Sequence, residues 1–188
     1  MKKFTLHLII LAVCLSVNLQ AQNTIEPPKG YSTQIGNMVA MLDDLKSRVT
    51  RSVENLKQHE VDFLLDDDAN RIGALILHLA ATEKYYQVFT FENRSFSSKE
   101  DKEWMLPLEL GEPARKELIN KPINYYLDIW DTVRKETKKL LKTKDDNWFN
   151  AQVKKSSMNN HWAWYHVMEH QANHMGQIRL ILKRVPSN

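Results

Sequence analysis

His166-Val167-Met168-Glu169-His170-Gln171-Ala172-Asn173-His174-Met175-Gly176-Gln177-Ile178 holds three of the chain's seven histidines, at i, i+4 and i+8. An α-helix turns about 100° per residue, so residues four apart stack on one face. With His170 set at zero, Ala163 and Ile181 fall at about +20°, Val167 and Val185 at about +60°, and Ile178 at about +80°. The apolar stripe is centred at about +40°, close to His174, about 40° from His170 and about 80° from His166. The spacing therefore predicts a helix whose inward histidines are His170 and His174, with His166 at the rim. All three cannot share one ion, because His166 and His174 lie roughly 12 Å apart along the axis. Neutral imidazole is the commonest protein ligand for zinc, nickel and ferrous iron, and a helical i, i+4 pair can supply two ligands to one ion. The competing reading is a helix whose histidines only line a solvated face.

Outward from this stretch, the same period recurs. Ile35, Met38, Val39, Leu42, Leu45, Val49 and Val53 mark a first helix, capped by Ser32 or Thr33 and running to about Leu56. Asp66-Asp67-Asp68 precedes a second helix, about Ala69 to Phe89, and suits its N-terminus. The run lacks the alternating oxygens, glycine and terminal Glu of a calcium loop. On the second helix Leu75, His78, Thr82 and Tyr85 lie along one inner edge. His78 alone reads as a core histidine; beside His170 and His174 it becomes a third ligand from another helix. Glu83, about 140° from His78 on the wheel, pairs with a lysine or orients a ligand.

Ser95 to Pro122 reads as a long connection with one helical turn near Ala114 to Leu118. A third helix starts at Pro122 and carries Ile123, Tyr126, Leu127, Trp130, Val133, Leu140 and Leu141. Its lysine-rich end suits the helix dipole and makes a nucleic-acid reading unnecessary. The fourth helix spans about His161 to Arg184. Trp162, Trp164 and Tyr165 crowd its first turn, as roof of a pocket, core, or dimer contact. No strand-like alternation, internal repeat or phosphate-binding glycine loop is present. The expectation is an all-α four-helix bundle with long crossover connections, its ligands on facing helices.

The opening residues read differently. Lys2 and Lys3 precede an apolar stretch, Phe4 to Val17, and Ala21 is a plausible cleavage point. Residues 1–21 thus look like a signal peptide, too short for a spanning helix, leaving a domain over 22–188. The product is expected to be periplasmic or extracellular, with nothing to hold it at a membrane after cleavage. Cys14, the only cysteine, falls inside that leader, so the mature chain has no disulfide and no thiol nucleophile. Removing Lys2 and Lys3 leaves 24 basic residues against 23 acidic ones, a balance that gives no electrostatic case for nucleic acid.

The combination Asp-Ala-Asn-Arg-Ile-Gly-Ala-Leu-Ile-Leu-His78-Leu-Ala-Ala-Thr-Glu83, a Tyr-Tyr-Leu-Asp third helix and His170-x-x-x-His174-Met-Gly-Gln-Ile resembles the DinB-like family over roughly residues 32–184. The resemblance implies metal ligands at His78, His170 and His174, zinc or nickel as the ion with iron a third option, and a homodimer. Some members of that family are metal-dependent transferases of mycothiol or bacillithiol. Export would place this chain where such thiols are scarce, so hydrolysis and thiol or group transfer on a small substrate both stay open. Three histidines with open positions are the layout of catalytic rather than structural zinc. Glu83 and His166 are the candidate catalytic residues, as base or partner to a ligand, with Glu169 a weaker candidate. The alternatives are a bundle that binds a metal or ligand without turnover, and a bundle whose buried histidines are purely structural.

Overall fold

The computed structural model describes residues 24–186; the expected leader over 1–21 lies outside them. The described residues form an all-α bundle of helices α1 (Thr33–Val53), α2 (Gln58–Val61), α3 (Ile72–Gln87), α4 (Ser98–Glu109), α5 (Gly111–Glu117), α6 (Ile123–Leu141), α7 (Asp146–Asn150) and α8 (Asn160–Leu182). A π-helical turn, Val88–Glu92, extends α3 to Asn93, whose left-handed backbone ends it. None of these helices is long and apolar enough to cross a membrane.

The long helices α1, α3, α6 and α8 make the bundle. Gly73 faces Tyr126, and Gln87 bonds Val133 and Thr137, so α3 and α6 run parallel. His78 meets His170 and His174 while Tyr86 meets His166, so α3 and α8 run antiparallel. Parallel neighbours need a chain that travels the bundle's length between them, and residues 88–122 are that crossover. It is better ordered than expected. α4 and α5 occupy most of the stretch read as a loop, and α4 starts with a capping box: Ser97 Oγ accepts from Glu100 N, and Glu100 Oε2 accepts from Ser97 N at 2.7 Å.

Two other expectations are corrected. Asp66–Asp68 caps no helix: Asp66 closes its own turn by accepting from Asp68 N at 3.0 Å. α3 begins later, at Ile72, because Arg71 ties the approach down, donating to the carbonyls of Asp62 and Arg115 at 2.9 and 2.5 Å. Trp162 and Trp164 part company: Trp164 is fully buried, whereas Trp162 is half exposed.

The interior has two apolar clusters. One gathers Val49, Val53, Leu75, Leu79, Trp130, Ile178 and their neighbours. The other gathers Ile35, Met38, Leu42, Leu141, Phe149, Trp164 and Val167. Between them lies a buried polar layer of Glu83, Gln87, Arg134, Thr137 and Gln171. Gly73 sets the α3–α6 approach. A Cβ there would fall 2.7 Å from Cζ of the fully buried Tyr126 and closer still to Cε2. Gly73→Ala is therefore expected to destabilise the bundle by about 1–3 kcal/mol, despite alanine's higher helix propensity. A urea melt of the variant measures this; a more stable variant would mean that the ring has room to move.

Candidate metal centre

α3 and α8 cross where the histidines stand. One ligand atom from each of His78, His170 and His174 lies within 4.8 Å of the other two. His78 and His170 bring their Nε2 atoms to 3.0 Å. The ring of His174 lies 4.8 Å from that of His78 and 5.0 Å from that of His170, centroid to centroid. Among the described residues this is the grouping of ligand-type side chains that converges on one point.

The free nitrogens are chosen by the partners of the others. His78 Nδ1 lies 3.0 Å from the Pro107 carbonyl oxygen, which can only accept, so Nδ1 carries the proton and Nε2 is left with its lone pair. The carbonyl is available because α4 ends just beyond it. Leu110 adopts φ 58°, ψ −140°, a conformation rarely taken by residues with a side chain, and Gly111 follows at φ +74°. The helix therefore stops at Glu109, and the Pro107 carbonyl in its last turn is left to meet His78 on α3. His174 is oriented in the same way, Nδ1 donating to Gln177 Oε1 at 3.0 Å. A carbonyl behind an imidazole fixes its tautomer and raises the basicity of the ligating nitrogen.

Burial, reinforced by the neighbouring His174, holds the His78 imidazole down to about 4. Burial and the surrounding histidines hold His170 at about 4 as well. Burial also lowers His174, against its bond to Gln177. All three are neutral near pH 7, the form that ligates a metal. The 3.0 Å contact is a hydrogen bond when His170 carries its proton on Nε2, and becomes a pair of ligands for a shared cation when that proton sits on Nδ1. The donor set thus fits a divalent transition metal with positions left open for a further ligand. His170 and His174, partly exposed, keep the freedom to close on it.

His166 stands at the rim, as the wheel predicts. Its ring is 5.1 Å from that of His170, stacks on Trp162 at 5.1 Å and 9°, and meets Tyr86 edge-on at 5.8 Å. Nδ1 points at Glu169 Oε2, 3.2 Å away. Glu169, the weakest candidate from spacing, is thus the partner that orients His166.

Glu83 lies elsewhere. It is fully buried and turned toward α6, with both carboxylate oxygens taken. Oε1 accepts from Arg134 Nε at 2.8 Å and Thr137 Oγ1 at 2.6 Å; Oε2 accepts from Arg134 Nη2 at 3.0 Å and Trp130 Nε1 at 3.1 Å. Gln171 Nε2 lies 3.5 Å from Oε2. The expected lysine is an arginine, and the expected reach toward the histidines is absent. The wheel angle of about 140° from His78 already points away from them. Arg134 was the residue that sequence reasoning missed; its signal was a lone arginine within the apolar stripe of α6.

The model of the mycothiol-S-transferase family matches residues 37–185, from the first turns of α1 to just beyond α8. The chain belongs to the mycothiol-S-transferase family. That family lies within the DinB superfamily of helical, metal-binding proteins, so the DinB-like resemblance drawn from the histidine pattern holds. No curated protein matches the chain. For a mycothiol-S-transferase family member, chemistry rather than volume marks the site. A cavity of about 710 Å³ lies between α3, α4 and α6, among Lys84, Lys135, Lys139 and Glu103. The histidine cluster instead opens at the surface along the α3–α8 seam.

Proposed function

We propose that the chain is a metal-dependent thiol transferase, joining a small thiol to a small electrophilic substrate at the three-histidine centre. The observation that carries this is the convergence of His78, His170 and His174 in a chain whose family is defined by thiol transfer. Zinc or nickel suits three neutral imidazoles, with iron the third option. An ion held there would lower the pKa of a bound thiol and keep it as the nucleophile.

The chain's own groups do the rest. His78 and His174 present Nε2 because Pro107 and Gln177 hold their Nδ1 protons. His166, pinned by Trp162 and Glu169, keeps Nε2 free to accept the thiol proton or to orient the thiol. Trp162 also lines a cavity of about 520 Å³ with Asn150, Gln152, Ser157, Met158 and Asn159, amide and hydroxyl groups suited to the polar body of a thiol cosubstrate. Glu83 has no place in this reading, since its oxygens are committed to α6.

Metal-loaded protein is expected to consume thiol and electrophile only when both are present. Turnover of a substrate without added thiol would favour the hydrolase reading, and metal uptake with no turnover the binding-module reading. His166→Ala is expected to keep its metal and lose about 100-fold or more in turnover, the scale of general acid–base assistance. Rates within threefold of wild type would remove His166 from the chemistry. Export through residues 1–21 is part of the proposal and would require a thiol supply outside the cytosol; fractionation of cells expressing the full chain tests it. Self-association is proposed as well. The half-exposed Trp162, Tyr165 and Leu180 on α8 support it, and sedimentation analysis decides it.

A further inference from the structure

α3 and α8 run antiparallel and meet rung by rung. His78 touches His170 and His174, and Tyr86 touches His166. Thr82 is the residue between. With His78 at zero, it lies at about +40° and Tyr86 at about +80°, at about 100° per residue. The α6-facing residues Gly73, Ala80, Glu83 and Gln87 lie on the opposite side, at about 140–220°. Thr82 therefore sits in the α3–α8 seam, one turn from His78, across from the turn between His166 and His170.

Its hydroxyl has nothing to bond. Thr82 is 5 % exposed, and its Oγ1 is buried without a hydrogen-bond partner. A helical threonine ordinarily turns its hydroxyl onto the carbonyl four residues earlier. Thr90, Thr132 and Thr137 do this, donating to Tyr86, Asp128 and Val133 at 2.6, 2.9 and 3.2 Å. Thr82 does not. A buried hydroxyl without a partner carries a desolvation penalty that valine, of the same shape, would avoid. A hydroxyl kept at that cost beside three converging ligands fits a group that enters the site from outside.

We propose that the Thr82 hydroxyl donates a hydrogen bond to the sulfur of a thiol bound at the three-histidine centre, and so sets the affinity of that site for thiols. This rests on the metal-centre reading above, and the experiment separates the two.

The probe is 2-mercaptoethanol, titrated into cobalt(II)-loaded wild type, Thr82→Val and Thr82→Ser, with the cobalt absorption spectrum as readout. Each chain's cobalt content and the melting temperature of its metal-free form are measured alongside. Wild type and Thr82→Ser are expected to bind the thiol alike. Thr82→Val is expected to take up the same cobalt and to bind the thiol about tenfold more weakly, about 1.4 kcal/mol. Its metal-free form should melt at the same temperature as wild type or higher, because valine removes an unsatisfied group. Equal thiol affinity in Thr82→Val overturns the proposal and leaves the metal centre standing. Equal affinity with a lower melting temperature overturns it too, and would mean that the hydroxyl is paired internally, for instance to Gln171 Oε1, itself buried without a partner. If wild type takes up no cobalt, the metal-centre reading fails and this proposal with it. Should Thr82→Val not fold, Thr82→Ala carries the same comparison.

Discussion

Replacing His78, His170 and His174 together by alanine is expected to abolish metal binding. Elemental mass spectrometry should find about one divalent ion per wild-type chain, prepared without a polyhistidine tag, and background in the variant. Three imidazoles whose ligand atoms lie within 4.8 Å of one another form one site, so loss of all three removes it rather than weakens it. Stability gives a second readout. A ligand that binds only the folded state stabilises it by about 2.7 kcal/mol at a hundred times its Kd. Saturating metal should therefore raise the melting temperature of the wild type and leave that of the variant unmoved. The fold should survive, because His170 and His174 are only partly buried and His78 stands at the seam. Metal retained at wild-type stoichiometry would mean that the ion sits elsewhere.

Glu83→Ala is expected to cost about 3–5 kcal/mol of folding free energy, because it leaves Arg134 buried with its charge largely uncompensated. Arg134 is 4 % exposed, and the remaining carboxylate near it, Asp43, is partly exposed and shared with Lys138. The loss also strips a partner from Trp130, Thr137 and Gln171. Urea unfolding measures it. Removing both charges at once, as Glu83→Leu with Arg134→Met, should recover part of the loss, since the expense of a broken buried pair is mostly the stranded charge. A cost below about 1 kcal/mol would mean that the layer is hydrated or rearranges. The variant also decides between roles: a folded, metal-loaded Glu83→Gln without activity would return Glu83 to the chemistry.

Both predictions turn on residues that were visible in the sequence but differed in how far they could be read. His170 and His174 share one helix with their apolar neighbours, so the wheel alone chose them over His166. His78 needed a second helix; only its place on an inner edge, beside Leu75 and Thr82, marked it. α4 reads as a loop in the sequence because of Pro107, several charges and Gly111, although Ser97 and Glu100 spell a capping box. Pro107 lies in the last turn of α4, where its carbonyl has no helical partner and is left for His78.

From the sequence alone came the four long helices, their apolar faces, the inward pair of histidines and the bundle they imply. These depend on the backbone's own geometry, about 100° and 1.5 Å per residue, which acts locally and repeats. What each stripe meets is a long-range matter. Packing decided that α3 lies parallel to α6 and antiparallel to α8. That choice sent Glu83 to Arg134 instead of to the ligands and placed Pro107 behind His78. It also separated Trp164 from Trp162 and left the Thr82 hydroxyl facing the seam without a partner. A helix wheel gives the direction in which a side chain points; only the neighbouring helix supplies the group it meets there.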